Sequence, residues 1–312
     1  MCVKIGQKPI FGPNYQPEPH QCPNELSGML PELTSKTVGP RENALARVVR
    51  SNQVKSWLSW LLLPFCFWQG LRIRSNGLSL VPPSGPAQML VGGERKGTPY
   101  RMLIVGDSSV SAIGASDMEE GLAMQMASRL SARLNRPVDL RIAGNASATS
   151  ENVRDHVVRH LPRDAFDLVF LVVGMNDAKN FHSATRFAQG FGGLIYALNT
   201  RFPSALIAHW PISPMTIFPV LPQPLKTCLS MRSDVLDAIA ACLSAGRGVE
   251  RFERQMELPG SSFAADGFHL NAEGYALWAD VAVKGLMSKD AVRQAKRKRK
   301  KAKAKGETST GG

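Results

Sequence analysis

The spacing of apolar and polar positions divides the chain into a patterned centre between two unpatterned ends. Residues 1–55 carry prolines, asparagines and lone glycines (Lys8-Pro9, Gly12-Pro13-Asn14, Pro17-Glu18-Pro19, Gly39-Pro40) without a sustained apolar period. That pattern predicts a disordered leader or sequence upstream of the true start, with Val54-Lys55 as a candidate non-ATG start. Next comes the run from Trp57 to Trp68 (WLSWLLLPFCFW), with Arg47, Arg50 and Lys55 before it and Arg72 and Arg74 after it. As a helix, Trp57 to Leu71 would reach only about 22 Å against a hydrocarbon core of about 30 Å, so a membrane span is not expected. A secretory signal is disfavoured too, because Trp68-Gln69-Gly70 offers no small-x-small cleavage site. Two readings stay open for Trp57–Trp68: a peripheral segment lying in the membrane interface, or a helix packed on the main domain. Ser75–Lys96 follows as a Pro/Gly-rich linker.

From there strand and helix patterns alternate. Arg101–Val105 is a short apolar run ending in Gly106, and Met118, Leu122, Met126, Leu130 and Leu134 recur every four residues as one helical stripe. Val138–Ala143, Leu168–Val173 and Ala205–Trp210 are further strand-like runs, with helical stretches near Arg186–Thr200, Met231–Ser244 and Asn271–Met287. Such alternation predicts an α/β domain with a mostly parallel sheet covered on both faces, whose ligands sit off the carboxyl edge of the strands. The predicted organisation is a leader (1–55), an apolar segment and linker (56–98), a catalytic-size domain (99–289) and a basic disordered tail (290–312).

Net charge changes the picture only once it is located. The 312 residues sum to +13. Ala291–Gly312 holds nine basic residues and one acidic, Met1–Lys55 holds seven and four, and Ser56–Asp290 is left with only +2. A near-neutral body argues against a fold that reads nucleic-acid phosphates, so no specific nucleic-acid partner is expected and the tail's partner is open. Five cysteines (Cys2, Cys22, Cys66, Cys228, Cys242) include no CxxC pair and no zinc-spaced cluster with histidine. They suit a cytoplasmic or peripheral inner-membrane location, although Cys228 and Cys242 could pair in an exported protein.

Three short blocks fall where this architecture makes them useful. Gly106-Asp107-Ser108-Ser109 follows the first strand, which puts a serine at the sheet's carboxyl edge and its N–H near an expected helix N-terminus. Gly174-Met175-Asn176-Asp177 follows the Leu168–Val173 strand and offers a side-chain amide to the same crevice. Asp266-Gly267-Phe268-His269 precedes the last helical stretch, its spacing able to set a carboxylate against an imidazole on one turn. His156 and His160 stand four apart on an expected helix but lack an HExxH glutamate, so no metal is assigned, and His182 is left without a role. No Gly-x-Ser-x-Gly elbow, P-loop or Gly-x-Gly-x-x-Gly follows a strand.

In their order and context these blocks resemble the SGNH (GDSL-type) hydrolases from about Arg101 to Lys284. Residues Trp60–Arg74, Phe218–Leu225 and Phe263–Trp278 are similar to a bacterial subgroup of lysophospholipase-like esterases. The resemblance implies a three-layer α/β/α fold with flavodoxin-like strand order, hydrolysis of a small or lipid-like acyl ester, and no cofactor. It implies Ser108 as nucleophile, His269 as general base and Asp266 as its orienting partner, with Asp107 and Gly174 supporting. The implied oxyanion hole is the Ser108 N–H, the Asn176 amide and a backbone N–H from a further family block, Gly-x-Thr. There Gly144-Asn-Ala-Ser-Ala-Thr149 puts Ser147 where the family has glycine; a backbone donor survives a serine provided its dihedral angles are not left-handed, and Gly144 is the donor if the loop is drawn differently. The apolar loop Pro211–Lys226 (Ile212, Met215, Ile217, Phe218, Val220, Leu221) is expected either to wall an acyl site or to pack over the crevice. A rival reading is a degenerate binding protein working through its basic tail at anionic membrane or nucleic acid.

Overall fold

The computed structural model describes residues 40–288 except 77, 79, 255 and 256. The leader before residue 40, Cys2, Cys22 and the basic tail 290–312 lie outside the described residues.

Six strands form one mixed sheet in the order β1-β3-β2-β4-β5-β6. They are β1 (Gln88–Val91), β2 (Tyr100–Gly106), β3 (Val138–Gly144), β4 (Leu168–Val172), β5 (Leu206–His209) and β6 (Glu250–Arg251). All neighbours are parallel except β1, which pairs antiparallel with β3. Counted over the parallel strands alone the order is 2-1-3-4-5, the flavodoxin-like winding, whose switch point lies between β2 and β4. The alternation along β2 and β4 divides the core. Leu103, Val105, Val169 and Leu171 face one side, under α7 (Ala184–Arg201) and α8 (Leu225–Gly246). Met102, Ile104, Leu168 and Phe170 face the other, under α4 (Leu122–Leu134) and a last helix, α9 (residues 272–288).

Several expectations need correction. Residues 40–55 are not an unstructured leader: α1 (Pro40–Ser51) and α2 (Gln53–Leu61) run into α3 (Leu63–Asn76), and all three pack on α8. Part of the presumed linker is β1, a four-residue edge strand whose register comes from its pairing with β3. Met118 lies in a turn outside α4, so no helix begins close behind Ser108 and a helix dipole cannot be invoked there. Cys228 and Cys242 both sit on α8, 14 residues apart, a rise of about 21 Å that forbids a disulfide. His156 and His160 are exposed on a π turn (Val153–Val157) running into a 3-10 turn (Val158–His160), so they do not share a regular helix face. No helix among the described residues is long and apolar enough to cross a membrane.

Candidate active site

The carboxyl ends of β2 and β4, the strands flanking the switch point, deliver the first two blocks into one crevice. After Gly106 the chain turns tightly: Val110 N–H donates to Asp107 O at 3.2 Å and Ile113 N–H to Ser108 O at 3.2 Å. This turn is braced from α9, where the buried Tyr275 hydroxyl donates to Ile113 O at 2.7 Å. Ser108 is therefore held half-buried at the edge of the sheet. Its N–H has no partner among the described residues.

The third block supplies the rest of a relay. Phe263 and Leu270 form an isolated antiparallel bridge, and Ala264 N–H donates to His269 O at 2.8 Å, so the intervening loop is closed at its neck. Within it Asp266 Oδ1 accepts the N–H groups of Phe268 and His269, each at 2.9 Å. Asp266 Oδ2 lies 2.6 Å from His269 Nδ1, and His269 Nε2 lies 3.0 Å from Ser108 Oγ. Burial pushes the Asp266 carboxyl upward, but the bonds from the His269 ring and two backbone N–H groups outweigh it and hold the group below its ordinary range. An ionised Asp266 fixes the tautomer with the proton on Nδ1, which leaves Nε2 to accept from the serine hydroxyl.

Asn176 is buried at the start of the short helix α6 (Met175–Lys179), set there by Gly174. Gly174 adopts φ +110°, and a Cβ at that position would overlap Ile212. Asn176 Nδ2 donates to Ala148 O at 3.0 Å; an amide nitrogen carries two hydrogens, so one remains for a ligand. That bond ties the Gly144–Thr149 loop to the Gly174–Asp177 block. Ser147, next to Ala148, is exposed and has φ 61°, the left-handed conformation that the sequence argument required it to avoid. Holding a non-glycine residue there costs about 1 kcal/mol. Its N–H has no partner among the described residues. Gly144 has a packing reason of its own, because a Cβ there would overlap Ser111 in the turn behind Ser108. Neither Ser147 nor Gly144 lines the crevice beside Ser108, whereas Asn176, Asp107 and His269 do.

Asp107 is buried, accepts the Ser109 N–H at 3.1 Å, and so braces the turn. Desolvation pushes its pKa up to about 6 against the opposing pulls of the Ser109 N–H, Lys179 and His269. Asp177 ties loops together: its Oδ2 accepts Ser150 N–H at 2.9 Å and Ser150 Oγ–H at 3.0 Å, and its Oδ1 lies 3.0 Å from His182 Nδ1. His182, left unassigned from sequence, is thus a buried element behind Asn176. Arg232 of α8 donates to His182 O at 2.6 Å and is itself fully buried.

The apolar loop divides its side chains between the crevice and the core. Ile212, Ile217 and Phe218 line the crevice, while Met215 and Leu221 enter the core. Phe218 stacks on Phe268 with ring centroids 4.5 Å apart, just in front of His269. Sequence reasoning missed Trp210, Leu258 and Trp278, which complete the wall. Trp210 could have been found, since it follows β5 at the same carboxyl edge.

Comparison with known proteins follows the same boundaries. Residues 104–277 match the model of the GDSL-like Lipase/Acylhydrolase family. A GDSL-like esterase of Mycobacterium tuberculosis (strain ATCC 25618 / H37Rv) is 26% identical over 216 residues, which is 64% of this chain and 66% of that protein, just under two thirds of its length. Among solved structures the chain is similar to a lipase/acylhydrolase from Enterococcus faecalis, with 19% identity and TM-score 0.46 over 61% of this chain and 96% of that one. It is also similar to a carbohydrate acetylesterase from Sinorhizobium meliloti, with 20% identity and TM-score 0.47 over 61% of this chain and 99% of that one.

Proposed function

Because this chain belongs to the GDSL-like lipase/acylhydrolase family, we propose that it hydrolyses carboxylic esters through a Ser108-His269-Asp266 triad and an acyl-enzyme. The observation that carries the reading is the relay itself, 2.6 Å from Asp266 to His269 and 3.0 Å from His269 to Ser108.

Ser108 Oγ attacks the acyl carbonyl while His269 Nε2 takes its proton, and Asp266 stabilises the imidazolium so formed. The carbonyl oxygen, now anionic, is held by the Ser108 N–H and the free hydrogen of the Asn176 amide. In such a hole each donor is worth about 10²–10³ in rate. His269 then protonates the departing alcohol, and the same nitrogen draws a proton from water to release the acid.

The crevice favours a short acyl group over a lipid-like chain. Its free volume beside Ser108 is about 60 Å³. About 10–15 Å³ of such space holds one water, so about four to six heavy atoms fit without displacing Phe218 or Trp210. An ester of a short acyl group is the expected substrate class. A fluorophosphonate probe should label the wild-type chain at Ser108, and Ser108→Ala should abolish both labelling and acetyl-ester turnover. An unlabelled wild type, or octanoyl esters cleaved faster than acetyl esters, would overturn the triad or the acyl preference respectively.

A further inference from the structure

The helical arm α1–α3 is built inside out. Helices that pack against a domain in water turn their apolar stripe inward. Here the fully buried side chains are small, with Leu45, Val48, Leu62 and Ile73 half-buried against the core beside them, and polar contacts make up much of the rest. Ser59 and Cys66 are fully buried, and the Cys228 thiol donates to Ser59 O at 3.1 Å. Gln69 Nε2 donates to Gln223 O at 2.8 Å and its Oε1 accepts the Leu225 N–H at 3.1 Å. Arg232 donates to Ser56 Oγ at 3.3 Å and lies beneath the Trp60 ring at 5.0 Å. The outward side is the apolar one: Trp57 is 70% exposed, Leu61 69%, Phe65 72% and Trp68 76%, with Phe67 and Leu71 beside them.

Specific polar contacts with α8 hold this arm in place, so the outward aromatics are not the result of a loosely placed segment. A contiguous apolar face of this kind marks a protein or membrane contact. The charges on the arm decide between them. Residues 40–76 carry Arg41, Arg47, Arg50, Lys55, Arg72 and Arg74 against one acidic residue, Glu42. Pairing two copies of this face would set cations against cations, whereas an anionic lipid surface complements it. No described helix is long and apolar enough to cross a membrane, so the arm would lie in the interfacial plane, rings in the acyl boundary and basic groups among the headgroups.

We propose that the outward face of α2 and α3 docks this protein on the surface of an anionic phospholipid bilayer. The assignment stands apart from the hydrolase reading, because docking needs no turnover. It is tested by floating the full chain with phosphatidylcholine vesicles, with and without phosphatidylglycerol, while following tryptophan emission. Wild type should float with the anionic vesicles and its emission should shift to the blue. The combined variant Trp57→Gln, Phe65→Gln, Trp68→Gln keeps the basic tail and every contact with α8, and should bind the same vesicles about tenfold or more weakly. Its circular dichroism melt should match wild type, since these side chains face outward. Ser108→Ala should bind like wild type.

The assignment would be overturned by no flotation of wild type, by equal flotation of the triple variant, or by a wild-type dimer in sedimentation that the triple variant dissolves. The second would assign the binding to the tail alone, and the third would assign the face to a second copy of the chain. Lost flotation of Ser108→Ala would move the contact to the crevice and equally overturn it.

Discussion

Two helical elements pack against α8 with opposite polarity. Helix α7 buries Phe187, Phe191, Leu194, Ile195 and Leu198 and leaves Thr185, Arg186, Gln189 and Thr200 in solvent. The arm buries Ser59 and Cys66, half-buries Gln69, Leu62 and Ile73, and leaves Trp57, Leu61, Phe65 and Trp68 outside. Both are docked, so docking alone does not say which medium the far side meets. The residues turned away from the domain do. The outer face of α7 is made for water, and that of the arm for something apolar.

The sharpest way to break this contrast is to cut the same ring from both. Phe187 is fully buried and stacked on Phe191 at 5.4 Å, so Phe187→Ala should cost about 3–5 kcal/mol in denaturant unfolding. Phe65→Ala, at a position 72% exposed, should stay within about 0.5 kcal/mol. Similar losses at both would mean that the arm's outer face is covered within the folded chain.

A smaller effect is expected in the crevice, where a polar group is buried without an ionic partner in direct contact. The pKa of Asp107 rises from 3.8 to about 6 on folding, chiefly through desolvation. A raised carboxyl pKa contributes stability that is complete below pH 3.8 and lost as pH rises through 6. Asp107→Asn can still accept the Ser109 N–H but cannot ionise. Its thermal stability relative to wild type should therefore climb between pH 4 and pH 6 and level off above, by on the order of 2 kcal/mol. A constant difference across that range would show that Asp107 is already ionised at pH 4.

The smallest effect belongs to the arm's own ion pair. Lys55 meets Asp234 at 3.0 Å with 51% of its side chain exposed, and Lys55→Ala should change stability by less than about 1 kcal/mol. A larger loss would mean that the arm is held by charge more than by the Ser56, Ser59 and Gln69 contacts.

What could be read from the sequence follows from where local pattern and tertiary context agree. β2, β3, β4 and β5 fall within one or two residues of the apolar runs that predicted them, because buried parallel strands are continuous hydrophobic stretches bounded by turn residues. Ser108, Asn176, Asp266 and His269 stand out as candidates for a related reason: each lies in a short block just after a strand or just before the last helix. Other features left no local trace. β1 has the burial of an edge and takes its structure from β3. Helix α1 has polar composition and is placed by contact with α8. The left-handed backbone of Ser147 arises from a loop tethered at Ala148, which no residue type announces. Arg232 did leave one signal, an arginine between Leu229 and Leu236 on the buried side of α8, but its partners are 50 and 176 residues away in sequence.

That arginine also restricts how the polypeptide can be shortened. Family similarity begins at residue 104, which invites expression of a trimmed protein starting near residue 80. Such a protein would keep Arg232 but lose Trp60 and Ser56 from above it, opening to water a cation that also grips the His182 carbonyl behind Asn176. The boundary suggested by sequence similarity is therefore not the boundary of the folding unit, and weak activity in a trimmed protein would report on the missing helices before it reported on the crevice.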